Sequence, residues 1–318
     1  MHALTPAAGA AVMATGILSA GLRLTGHEGA ALAALALAVA VWAVCAGVFV
    51  ARLARGRERW WREASTPAGL TGVAATCVLG TCLSLQGWQE AAAVALTLSA
   101  VLWPLLLVPV LRRWERGLQG AVFLVCVATE GLAVGAGTLA VPDRLPWLCQ
   151  AGLSLFLLGL VLYGMALARF DLREVRSGAG DHWVAGGALS ISALAAAKLT
   201  IAADPRGPLG WAPGLHGTLR TVSLVLLAAS LLWFPVLAYA EARWPRTRYD
   251  VRRWATVFPL GMTAVASLVV ADAAALPVLD ELGRALLWLA VAVWLLTAAG
   301  AARAWWRSAQ RRCPGRPR

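Results

Sequence analysis

Apolar residues run along this chain in long unbroken blocks, not in strict alternation and not in a one-faced helical stripe. Ten blocks approach the roughly 20 residues that a helix needs to cross a hydrocarbon core. They are 6–24, 30–54, 67–86, 89–112, 117–141, 145–169, 182–202, 214–242, 251–276 and 278–307. The breaks carry turn chemistry or charge, as in Thr25-Gly26-His27-Glu28-Gly29, Gln86-Gly87-Trp88, Pro142-Asp143-Arg144 and Asp204-Pro205-Arg206-Gly207-Pro208. The pattern predicts an all-α, polytopic membrane protein with ten transmembrane helices. Short loops join segments 1–2, 3–4, 5–6, 7–8 and 9–10, so the helices are expected to pair as five hairpins. Residues 1–307 then form a single transmembrane domain, and 308–318 a basic cytoplasmic tail. The opening MHALTPAAGA lacks a basic n-region, so the first block reads as a retained helix and not as a signal peptide.

Charge orients the spans. Arginines crowd the loops after even-numbered segments and the tail, which together hold 22 of the 28 basic residues. The other six are Arg23, Arg144, Lys198, Arg206, Arg220 and Arg284, on or near the opposite side. By the positive-inside rule both termini are cytoplasmic, in the cell (plasma) membrane. The same asymmetry accounts for a formal charge of +12, so no nucleic-acid partner is expected; the expected environment is the lipid bilayer. Eleven tryptophans, among them Trp60, Trp61, Trp88, Trp147, Trp183, Trp211, Trp254 and Trp305, fall near predicted span ends, where amphipathic rings prefer the headgroup level.

Composition narrows the function classes. The chain is 60% hydrophobic and 14% charged, with a mean hydropathy of +0.70. A soluble domain is roughly 45–50% apolar and about 25% charged. Six cysteines, Cys45, Cys77, Cys82, Cys126, Cys149 and Cys313, form no C-x-x-C and have no histidine at ligand spacing, so they read as buried free thiols. His2, His27, His182 and His216 lie at predicted ends or loops, and no hydrolase, metalloprotease or nucleotide motif occurs. The expectation is no enzyme, no cofactor and no metal site.

Odd and even segments differ. The odd ones hold 14 Ser and Thr residues in 111 positions and the even ones eight in 133. Hydroxyls in a bilayer face partners or water. Two readings follow: an inner ring of odd helices around a polar pathway, or close packing through small residues. The candidate pathway residues are Thr15, Ser19, Thr76, Thr129, Ser190, Ser192 and Thr263, together with the charges Glu130 and Lys198. These charges lie 13 and 16 residues from the cytoplasmic ends of segments 5 and 7, or ~20 and ~24 Å deep. A lone charge at that depth is costly and marks a functional site by default. Glu130 is therefore expected to pair with Lys198, with a protonated carboxyl or ordinary packing as alternatives.

Several short runs are shared with a known family. Ala14-Thr15-Gly16-Ile17, Thr76-Cys77-Val78-Leu79-Gly80, Val127-Ala128-Thr129, His182-Trp183 and Val257-Phe258-Pro259-Leu260-Gly261-Met262 occur in this order. Together they resemble the tellurite-resistance/C4-dicarboxylate transporter family, related to the plant guard-cell slow anion channels. The resemblance implies ten helices as five hairpins around a central pore, lined by odd helices and plugged by a phenylalanine that maps to Phe258. It also implies a homotrimer and the transport of small anions such as chloride, nitrate, sulfite, C4-dicarboxylates or tellurite. Pro259 is expected to kink its helix. Two features depart from the family pattern: segments 5 and 7 lack prolines, and Glu130 stands where a neutral polar residue is usual. A proton-coupled organic-acid exporter and an intramembrane redox or other enzyme are the alternative functions.

Overall fold

In lipid every backbone polar group must be satisfied within the protein, and a helix does this within one segment. The computed structural model describes residues 8–114, 118–142, 145–177, 180–244 and 249–312, and these residues are almost entirely helical. The long helices are α1 (Gly9–Leu24), α2 (Glu28–Arg55), α4 (Thr71–Leu85), α5 (Gln89–Arg112), α6 (Leu124–Ala140), α7 (Pro146–Leu167), α9 (Val184–Ala202), α10 (Leu215–Arg243), α11 (Trp254–Ala274) and α12 (Pro277–Arg312). Two short helices lie between them, α3 (Arg57–Ala64) and α8 (Glu174–Ser177). Turns of 3-10 helix at Pro67–Leu70, Gly120–Phe123 and Val251–Arg253 lead into α4, α6 and α11. Among the described residues nine segments are long and apolar enough to cross a membrane, while α1 has 16 residues. The protein is a multi-pass membrane protein.

Neighbouring helices in sequence pack as pairs: α1 with α2, α4 with α5, α6 with α7, α9 with α10 and α11 with α12. One member of each pair also joins a closed ring, in which α1 touches α4, α4 touches α6, α6 touches α9, α9 touches α11 and α11 touches α1. The other five lie outside. The spans ending in α6 and α11 are wholly buried, whereas 11% of the α2 span is. Small residues permit the close approach. At Gly187 of α9 an added Cβ would lie 2.9 Å from the ring of Pro259, so only glycine lets α9 and α11 meet there.

Three of the pairs turn alike. Gly26 and Gly87 hold left-handed backbone (φ 84° each), and the amides of His27 and Trp88 return to the carbonyls of Leu22 and Leu83 at 2.8 and 3.0 Å. Ala275 does the same after α11 with φ 54°, and Leu276 N–H reaches Ala271 O at 3.0 Å. A Cβ in this conformation is strained.

Two boundaries and the setting of two tryptophans differ from the sequence expectation. The arginine-rich stretch after α2, expected as a loop, forms the helix α3; eight mostly charged residues give no spanning signal, because that signal needs a long apolar run. The last helix continues to Arg312, into the expected tail, and residues 313–318 with Cys313 lie outside the described residues. So do residues 1–7, 143–144 and 245–248, on which parts of the loop-charge argument rest (Arg144, Arg246 and Arg248). Arg116 of loop 4–5 also falls outside them. Trp183 and Trp254, expected at the headgroup level, are buried against Phe234 and Trp294.

Candidate functional site

All five ring helices enclose a narrow cavity of about 30 Å³, room for on the order of one or two water molecules. Ile17, Cys77, Val134, Ile191 and Met262 place one side chain from each helix on its wall. The lining is apolar except for Thr81 and Lys198. On α11 the wall residues Met262, Val265 and Val269 continue backwards to Phe258 at spacings of four, three and four residues, which is one helix face. Phe258 is fully buried. Met13, Val73, Val127 and Gly187 hold the equivalent positions, one turn before wall residues on the other four helices, and all are buried. The cavity therefore ends at this level.

The candidate hydroxyls are engaged elsewhere, between helices. Thr15, Thr76 and Thr129 each follow an alanine in their ring helix. Each accepts a hydrogen bond from a tryptophan of an outer helix: Trp294 Nε1 at 3.0 Å, Trp42 Nε1 at 2.9 Å and Trp103 Nε1 at 2.9 Å. Each also donates to the carbonyl four residues back, Ala11, Gly72 or Val125, at 2.7–2.8 Å. Ser19 Oγ donates to Ala31 O of α2 at 2.8 Å. Ser190 bridges Ser230 of α10 at 2.6 Å and Thr263 of α11 at 2.8 Å. A hydroxyl in an apolar medium finds the nearest partner, and here that partner is a neighbouring helix.

Glu130 is fully buried and points toward α7, where its side chain lies against Gly159. Ser192 Oγ donates to its Oε1 at 3.0 Å, and Oε2 has no partner among the described residues. Lys198 packs instead opposite Gly137, with an added Cβ on that glycine lying 3.2 Å from its own. Seven residues separate Glu130 from Gly137 along α6, or ~10 Å. No ion pair joins Glu130 to Lys198 among the described residues. The expected pair is not formed, because the two side chains leave their helices at different levels and toward different neighbours. Of the candidate residues, Lys198 is the one that faces the cavity.

At the entrance to α11, Asp250 caps the turn by accepting from Arg252 N–H at 2.8 Å. Burial alone would raise its carboxyl; the bonds from Arg252 and the charges of Arg252 and Arg253 outweigh that and hold it below the ordinary value. Arg253 also pairs with Glu241 at the end of α10. The helix α11 runs through Pro259, and Thr263 Oγ1 donates to the Pro259 carbonyl at 2.9 Å.

Sequence reasoning overlooked the apolar wall and the mid-span tryptophans Trp42, Trp103 and Trp294. The signal was present: the Ala-Thr repeat at 14–15, 75–76 and 128–129, and tryptophans far from any predicted headgroup level.

Over 122 residues the chain is 34% identical to two Mycobacterium tuberculosis proteins, Uncharacterized membrane protein Rv1735c (strain H37Rv) and Uncharacterized membrane protein MT1776 (strain CDC 1551). The match covers 36% of this chain and 59% of the length of each of these curated relatives. The profile of the SLAC1 family, described as voltage-dependent anion channel, matches residues 3–302. The match spans nearly the whole chain, which folds as a closed five-helix ring with an outer sheath, and the protein belongs to the voltage-dependent anion channel family.

Proposed function

We propose that the protein conducts small anions along the axis of the five-helix ring, and that Phe258 is the gate at the inner end of the cavity. The observation that carries this reading is the single stripe on α11, where Phe258 continues the cavity wall of Met262, Val265 and Val269 into a fully buried layer. Lys198 is the charged member of the wall, and an ammonium in an apolar passage attracts an anion and repels a cation. The apolar wall suits weakly hydrated anions. The arginine asymmetry supports cytoplasmic termini, Pro259 is read as the residue that bends α11, and the homotrimer follows the family resemblance.

Purified protein in liposomes tests this. Phe258→Ala is expected to raise chloride or nitrate flux at least tenfold, and Lys198→Met to reduce anion-over-cation selectivity. A folded Phe258→Ala protein without anion flux overturns the gate. Selectivity unchanged in Lys198→Met removes Lys198 from the pathway.

A second reading, proton-coupled export of organic acids, is favoured by Glu130. Its carboxyl is buried among α6, α7 and α9, with one oxygen lacking a partner among the described residues. Glu130→Gln keeps the shape and removes the exchangeable proton. Flux that depends on pH in the wild type and not in Glu130→Gln supports coupling; identical pH profiles overturn it.

A further inference from the structure

A second and larger cavity, of about 510 Å³, lies on the arginine-rich side, between α2, α3, α4 and α5. Its walls are almost wholly apolar, with Phe49 and Trp60 in edge contact at 4.9 Å on one side and Leu102 and Leu106 on another. Along α2 it extends from Trp42 to Leu53. Eleven residues of helix are ~16 Å, close to half of a hydrocarbon core of about 30 Å. The cleft therefore has the length of one leaflet. Val50 and Leu53 are exposed at its edge, within the span of α2, so it opens sideways toward lipid.

Its two ends differ chemically. The deep end closes at the Trp42–Thr76 hydrogen bond. At the shallow end the lining includes Arg52, at the start of a stretch over 52–63 that holds five arginines against Glu58 and Glu63. An apolar slot capped by positive charge matches a molecule with an apolar tail and an anionic head. The volume falls within the roughly 300–1,000 Å³ of small-molecule sites. A second copy of the chain is a poorer fit, because a helix with its side chains is about 10–12 Å across and the slot lies between packed helices.

We propose that this cleft holds one acyl chain of an anionic phospholipid from the arginine-rich leaflet, with its phosphate held by the arginines around Arg52. Basic residues next to a span attract such headgroups. Bound there, the lipid packs against Gly72, Val73 and Thr76 of the ring helix α4 and against the outer helices α2 and α5 at once. It acts as a removable part of the sheath.

Gly72 supplies the test, since it lines the cleft and an added Cβ there meets nothing within 4 Å. Gly72→Phe fills the slot from inside. Native mass spectrometry of the full-length protein, after exchange into phosphatidylglycerol or phosphatidylcholine, is expected to show one tightly held phosphatidylglycerol per chain. Phosphatidylcholine should be retained at least fivefold less, and Gly72→Phe should lower phosphatidylglycerol occupancy at least tenfold without changing the oligomer. Equal retention of the two lipids, or undiminished retention in Gly72→Phe, overturns the proposal. So does a change of oligomer in Gly72→Phe with no lipid lost, which would assign the cleft to a second copy. Should Gly72→Phe not fold, wild-type protein carrying phosphatidylglycerol with a photoreactive acyl chain decides the matter. Crosslinks concentrated on residues 42–53 and 69–76 support the site, and crosslinks spread evenly over the outer helices overturn it.

Discussion

The inner ring and the outer sheath are built from similarly apolar helices, yet they end in opposite surroundings. The ring spans α4, α6, α9 and α11 have mean hydropathies of 1.6–1.8 and are 72–100% buried; the sheath spans have 1.8–2.5 and are 11–33% buried. The more hydrophobic helices are the exposed ones. In water the order would be reversed, since apolar surface is what leaves water. In a bilayer large apolar side chains are at home facing lipid, and burial selects what packs closely or hydrogen-bonds. The ring accordingly holds the larger share of the glycines and hydroxyls, and the sheath supplies tryptophans that bond to three of the ring hydroxyls.

Two buried phenylalanines give the sharpest contrast. Phe258 of the ring and Phe156 of the sheath are both buried at 2% exposure or less. Truncation of either to alanine is expected to cost about 3–5 kcal/mol in stability, read as thermal unfolding in detergent. Flux in liposomes should rise in Phe258→Ala alone; a rise in both would dissolve the distinction between gate and packing.

Glycines offer the next contrast. Gly187→Val drives a side chain into Pro259 and is expected to cost about 1–3 kcal/mol. Gly164→Val in α7, where an added Cβ meets nothing within 4 Å, should stay within about 0.5 kcal/mol. Equal losses would mean that ring and sheath tolerate volume alike.

The ends of α11 should respond by similar amounts in opposite directions. Asp250→Ala removes the cap and is expected to destabilise by about 1 kcal/mol at neutral pH. The Asp250 carboxyl is held below its ordinary value, so the charged form stabilises the fold above that value and the benefit is lost as pH falls through the lowered one. The wild type and Asp250→Ala should therefore converge in acid. Ala275→Gly relieves left-handed strain and should raise stability by about 1 kcal/mol.

The smallest effect concerns the struts between ring and sheath. Trp42→Phe removes the bond to Thr76 and is expected to cost about 0.6 kcal/mol beyond the lost packing, measured by a double-mutant cycle with Thr76→Val. A coupling near zero would reduce the struts to packing.

Much of this fold was legible in the sequence. Apolar length marks a span without reference to any other part of the chain, so the segments over 89–112 and 182–202 agree with α5 and α9 to within two residues. The helix α3 was not legible, since a short charged helix depends on what it docks against. The candidate site divides in the same way. The stripe from Phe258 to Val269 is a periodicity, and the sequence contains it. The destination of a hydroxyl or carboxyl is not: Thr129 and Glu130 are adjacent, yet one accepts from Trp103 of α5 and the other lies against Gly159 of α7. Sequence by itself determined the spans, the small-residue ring and the side on which arginine collects, because these follow from local hydropathy and charge. Tertiary structure alone decided that Glu130 and Lys198 do not pair and that, of the candidate residues, Lys198 and none of the hydroxyls faces the cavity. A polar side chain in an apolar medium turns to whichever partner packing brings within reach, and that neighbour is fixed only when the helices have rotated into contact.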